Sequence, residues 1–166
     1  MSAKHFLAEL EQEFIATQNL LDIVPKDQLG FKPHEKAMSL GQLALHVATI
    51  PMRNLGFAKD GQVETTVIVQ HPEAQTTHEI LEAFATSKEA TKTLLHQDSD
   101  TSWLQTQWKL LRSGEVIAEM PAHAFVRTFV LNHFVHHRGE LTTYLRILNQ
   151  KIPSIYGPTA DVNPFA

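Results

Sequence analysis

Asn132-His133-Phe134-Val135-His136-His137-Arg138-Gly139-Glu140-Leu141 is the stretch on which the fold reading turns. It lies inside a longer run, about Ala122 to Gln150, in which Val126, Val130, His133, His137, Leu141, Tyr144 and Leu148 recur every three or four residues. That period places them on one face of an α-helix. Two histidines therefore interrupt an apolar seam one helical turn apart, at the H-x-x-x-H spacing that lets two imidazoles reach one metal ion from the same side. Each buried polar group left unsatisfied costs about 1 to 3 kcal/mol, and a shared ion relieves both at once. His136 competes for the same role. It sits about 60° from His133 around the helix, against about 40° for His137, and is assigned to the helix flank.

Upstream, Leu43-Ala44-Leu45-His46-Val47-Ala48 falls on a second helix, capped by Ser39, with an inner stripe of Leu40, Leu43, His46, Val47 and Ile50. His46 faces inward, and a third imidazole from there would complete a three-ligand site with an open position. Pro51 is expected to kink or end this helix. A first helix runs from Ser2 to about Ile23 on Phe6, Leu7, Leu10, Phe14, Ile15 and Leu21, and is stopped by Pro25 and Gly30. A third, capped by Thr76 or Thr77, is carried by Ile80, Leu81, Phe84, Leu94 and Leu95 to about His96. Asp60 to Gln75 reads as a long crossover without helical period. Partial alternation between Gln105 and Met120, around Ser113-Gly114, predicts a short hairpin. Pro153 stops the fourth helix, and the tail from Tyr156 to Phe165 is ordered only if docked. The expectation is all-α: a four-helix bundle forming one domain over residues 1–166, with a long crossover between helices 2 and 3 and a short hairpin between helices 3 and 4. Ligand sites in bundles are built from inward side chains on facing helices.

The bulk properties narrow the chemistry. The chain has 166 residues, 14 Lys plus Arg against 18 Asp plus Glu, a formal charge of −4 and no cysteine. A globule of this size buries roughly 70% of its unfolded surface, so no staple is required. No basic block tracks a phosphate backbone, which argues against nucleic acid. No apolar stretch approaches membrane-spanning length, and the N-terminus runs into Glu9, Glu11 and Glu13 instead of a signal core, so a cytoplasmic protein without membrane contact is expected. Without cysteine, disulfides, thiolate zinc sites and thiol nucleophiles are excluded. Any metal must use His, carboxylate or water ligands.

Glu140, three residues after His137, could be a fourth ligand, an acceptor behind a ligand, a general base, or a helix-surface carboxylate paired with a nearby Arg. The Tyr144 hydroxyl could donate to a bound anion, though a core-edge tyrosine is the default. His5, His71, His78 and His96 read as solvated. His34 and His123 could reach a site mouth, but a surface position suits both better.

Three islands carry a family resemblance. Lys32-Pro33 leads through Ser39-Leu40-Gly41-Gln42-Leu43-Ala44-Leu45-His46-Val47-Ala48; the second island is His133 to Leu141 with Tyr144-Leu145-Arg146; the third is Ile152-Pro153-Ser154-Ile155-Tyr156-Gly157-Pro158-Thr159-Ala160-Asp161. Together, in this order, they resemble the DinB/YfiT-like family of metal-binding four-helix bundles over most of the chain. The resemblance implies that the metal triad is His46, His133 and His137. Phe31 stands where an aromatic, often Trp, precedes the proline in such proteins, and Glu140 stands where Gln is usual. Relatives of this type include thiol transferases and thiol-dependent isomerases, so the scaffold alone does not choose a reaction.

The function expected is a metal-dependent enzyme acting on a small molecule, either a hydrolase using metal-activated water or an S-transferase using a metal-bound low-molecular-weight thiol. The alternative is a non-enzymatic metal or small-molecule binding or sensor protein. Zinc is the default ion for three imidazoles, with nickel close behind and iron or manganese in range. Relatives are often homodimers, and a bundle with apolar outer positions would allow a homodimer, but no sequence feature demands it.

Overall fold

The computed structural model describes residues 2–96 and 100–165. Helix α1, Ala3–Leu21, starts where the Ser2 hydroxyl accepts the His5 N–H, and it buries Phe6, Leu10, Phe14, Leu20 and Leu21. Ile15, expected on the inner stripe, is 61% exposed. It follows Phe14 by about 100° around the helix and so falls on the flank.

Helix α2, Leu40–Asp60, opens with a capping box in which Ser39 and Gln42 satisfy each other's backbone N–H groups. The stripe Leu40, Leu43, His46, Val47 and Ile50 is buried as expected. Pro51 does not end the helix, which continues to Gly61 in a left-handed conformation at φ 74°. Next to the proline, the Met52 N–H donates to Ser87 Oγ at 3.1 Å, so α4 supports the backbone at this point.

The crossover is more structured than its lack of period predicts. It holds strand β1, Gln62–Glu64, and a single helical turn, α3, Thr65–Ile68. Helix α4, Thr77–Leu95, is capped by Thr76, whose hydroxyl accepts the Glu79 N–H at 3.1 Å. The predicted hairpin is present as β2, Gln107–Arg112, and β3, Glu115–Pro121, turning through Ser113 at φ 53° and Gly114 at φ 81°. Two consecutive residues with φ above zero suit the right-handed twist of a tight hairpin. Strand β2 also pairs in parallel with β1, Val63 opposite Leu110, giving a three-stranded sheet ordered β1-β2-β3. The all-α expectation is corrected accordingly: the protein is mostly helical with one small sheet. A three-residue strand has too few positions to show alternation, and its partner lies far along the chain.

The last helical run begins with α5, Ala122–Phe125, passes through a π-helical segment, Val126–Asn132, and continues as α6, His133–Ile147. Helices α1, α2, α4 and α6 pack on one another around Phe14, whose ring meets Phe84 and Phe134 edge-on at 5.8 and 6.1 Å. The tail is docked. Arg138, 1% exposed, pairs with Glu13 at 2.5 Å and donates to the Tyr156 hydroxyl, which donates in turn to Glu13 at 2.6 Å. No helix among the described residues is long and apolar enough to cross a membrane.

Candidate metal centre

Helix α2 carries His46 on its buried stripe, and α6 carries His133 and His137 on successive turns of the face that packs against it. Nε2 of His46 and Nε2 of His133 are 3.2 Å apart. The His137 ring centre lies 4.6 Å from that of His46 and 4.4 Å from that of His133, and one nitrogen from each of the three falls within 4.8 Å of the other two. Two nitrogens held about 2.0 to 2.1 Å from a tetrahedral zinc would be about 3.3 Å apart, so the closest pair already has the spacing of a shared ion. The donor set fits a divalent transition metal.

The electrostatics point the same way. Burial, with His137 and then His133 adding repulsion, lowers the His46 pKa to about 3. Burial followed by His137 and His136 lowers that of His133 to about 4. Both rings are thus neutral at physiological pH and keep the lone pairs that metal ligation requires.

Glu140, for which the sequence leaves several roles open, lies beside two imidazoles. Its carboxylate meets His137 Nδ1 at 2.5 Å and His136 Nε2 at 3.4 Å, so it pairs with imidazoles and not with an arginine. Holding Nδ1 fixes the ring's orientation and leaves Nε2 as the nitrogen available to an ion. His136 lies on the flank with 63% of its side chain exposed. His136, His137 and Glu140 form a second converging group, which shares His137 and is the more exposed of the two. Tyr144 donates its hydroxyl to the Met38 carbonyl at 3.1 Å and stands edge-on to Phe31, with its pKa raised by burial and by Glu140. That hydroxyl is committed to the backbone. His34 and His123 do not line the cavity described below, while His5 and His78 bond locally to Ser2 and Glu82.

The sequence reading of His71 holds for its exposure but misses its place beside the triad. Read as solvated, it stands edge-on to His46 at 4.7 Å, with its pKa lowered by burial and by Arg53. The crossover that carries it is tied across α2: Gln42 Nε2 donates to the His71 carbonyl at 3.3 Å and Ser39 Oγ to Glu73 at 2.6 Å. A lone histidine on an aperiodic segment gives no signal of this in sequence.

The triad opens into a cavity of about 490 Å³. Its far wall comes from the sheet and the π segment. Trp108 of β2 stacks on Phe125 at 4.0 Å, and Phe125 packs on Phe129 at 5.0 Å. A π-helical turn holds one more residue than an α-turn and opens the ladder of backbone bonds. Here Asn54 of α2 donates to the Phe129 carbonyl at 2.5 Å, one helical turn before His133.

The fold has counterparts in known proteins. A model of the DinB family matches residues 1–162. The chain belongs to the DinB family. It is 28% identical over 168 residues to the uncharacterised protein YrdA of Bacillus subtilis, a match covering 95% of this chain and 89% of YrdA. In structure it is similar to the DinB-like protein YjoA of Bacillus subtilis, with a TM-score of 0.69 and 20% identity over 91% of this chain and 97% of that one. A DinB-like protein of Bacillus cereus gives 0.69 with 24% identity over 92% and 97%. A member from Exiguobacterium sibiricum gives 0.66 with 16% identity over 92% and 95%. At these identities the solved structures establish a shared fold and leave the chemistry to the site.

Proposed function

We propose that this DinB-family chain is a metal-dependent enzyme acting on a small molecule, with His46, His133 and His137 as ligands and zinc as the default ion. The observation that carries the reading is the convergence of three imidazole nitrogens within 4.8 Å at one end of a cavity large enough for a substrate. A divalent ion there would supply charge that brings the pKa of a water or small thiol toward neutrality and polarises an electrophile. The chain's own residues do the rest. Glu140 orients His137 through Nδ1, burial keeps His46 and His133 unprotonated, and the aromatic wall excludes bulk water from one side. The nucleophile is water in the hydrolase form and a low-molecular-weight thiol in the transferase form, since the chain has no cysteine of its own. The four long helices, α5 through α6 counted as one, support the reading of the scaffold as a four-helix bundle.

Elemental analysis with a zinc titration tests the ligands. A screen of the loaded protein against esters, epoxides and halogenated compounds, with and without small thiols, tests the reaction. One bound ion per chain and turnover above that of free metal are expected. Stoichiometric binding with no turnover across the panels would replace the enzyme with a metal or small-molecule binding protein.

A further inference from the structure

The cavity above the triad has an unusual charge pattern for a chain with a formal charge of −4. No carboxylate among the described residues lines it. Its ionisable side chains are Arg53, which is cationic, and the histidines 46, 71, 133 and 137. Arg53 is half-buried over the Phe57 ring, 5.4 Å from its centre. It donates through Nη1 to the Gln70 carbonyl at 3.2 Å and through Nη2 to the Val67 carbonyl at 2.5 Å. Those bonds occupy two of the five N–H groups of a guanidinium, whose planar fork matches a carboxylate. They also hold the side chain in place before any ligand arrives, which lowers the ordering cost of binding.

Apart from Asn54, the rest of the cavity is apolar, dominated by the stacked Trp108, Phe125 and Phe129. Arg53 follows His46 by seven residues on α2, two turns and roughly 10 Å along the same face. An occupant that reached both ends would carry an anionic group at one end, an apolar body, and its reacting bond toward the triad.

We propose that the cavity binds small aromatic or branched-apolar carboxylic acids, with the carboxylate on Arg53 and the apolar body against Trp108, Phe125 and Phe129. This names the substrate class of the reading above, and only the placement of the reacting bond rests on that reading. An uncharged apolar molecule would leave the remaining guanidinium donors to water, whereas an acid would form charge-assisted hydrogen bonds with them.

Calorimetric titration of the full-length, metal-free protein with 4-phenylbutyrate and 4-phenylbutanol tests it. The two probes share an apolar body and differ in charge. The acid is expected to bind at least tenfold more tightly. Arg53→Gln should remove that preference while leaving the alcohol's affinity within about threefold. Because Arg53 also ties down the crossover, Arg53→Lys serves as a second variant; it keeps the charge, loses the fork, and should keep a reduced preference. Ala118→Phe, which fills the cavity from β3, should weaken both probes about tenfold. Equal affinities in the unaltered protein, no binding of either probe, or a full tenfold preference surviving in Arg53→Gln would overturn the proposal. The two readings fail separately. Loss of acid preference with zinc binding intact removes this one alone, and absent zinc binding with the preference intact removes the metal reading alone.

Discussion

At the scale of single residues, one helix carries histidines that converge and a neighbour that does not. His133, His136 and His137 lie within five positions, yet only His133 and His137 converge with His46, while His136 is mostly exposed. Replacing His46, His133 or His137 by Ala should each lower zinc affinity by at least a hundredfold, because two imidazoles cannot hold the geometry of three. His136→Ala should change it by less than about threefold. Glu140→Ala frees Nδ1 of His137 and should cost roughly 10- to 100-fold, the usual effect of losing the group behind a ligand. Titration calorimetry on the five variants checks these values, and equal losses at His136 and His137 would sink the assignment. The depressed histidines also set a pH dependence for the metal-free protein. In the unfolded chain His46 and His133 take up protons below about pH 6.5, whereas in the folded state they do so only near 3 and 4. Stability should therefore be level above pH 6.5 and fall as pH drops toward 4, since the unfolded state binds the extra protons there. Chemical denaturation at half-unit pH steps would show it. The triad was legible in sequence because two of its members share a helix face and the third interrupts another apolar stripe. His71 and Arg53 were not, since the first sits on an aperiodic segment and the second takes its place from carbonyls of that same segment.

At the scale of elements, the helices were readable wherever burial imposes a period, and the boundaries followed the capping residues Ser2, Ser39 and Thr76. The reading erred where a partner distant in sequence decides the outcome. Strand β1 exists because β2 pairs with it, and α2 passes Pro51 with Ser87 of α4 accepting the neighbouring N–H. Ser87 is fully buried, and its hydroxyl is an acceptor that no sequence period marks. Ser87→Ala should thus leave the Met52 N–H without that acceptor and lower stability by about 1 to 3 kcal/mol. The same change at an exposed helix position should be close to neutral. Urea denaturation of the metal-free protein separates the two, and a Ser87→Ala variant within about 0.3 kcal/mol of the unaltered chain would show that the helix needs no support at Pro51.

At the scale of the whole molecule, the ties between elements distant in sequence include the buried Arg138, which joins α6 to α1 and the tail, and the triad, which joins α6 to α2. Arg138→Met strands Glu13 without its cation and should cost about 3 to 5 kcal/mol, more than the double variant with Glu13→Gln, because an unpaired buried charge is worse than none. Denaturant midpoints for the single and double variants check the order. Metal removal should behave differently. The apolar residues of all four long helices form one continuous core that does not depend on the triad, and a chain of 166 residues buries enough surface to fold unaided. The metal-free protein is therefore expected to keep its helical circular dichroism and a cooperative melt. On the proposed reading zinc would bind the folded state alone, and free zinc at a hundredfold excess over its dissociation constant should then add about 2.7 kcal/mol. For a chain of this length that corresponds to a rise in Tm of several degrees. Thermal melts with excess chelator and with buffered zinc decide the matter. Loss of helical signal on chelation would mean that the ion staples the fold, and the open cavity beside it would then need another explanation than catalysis.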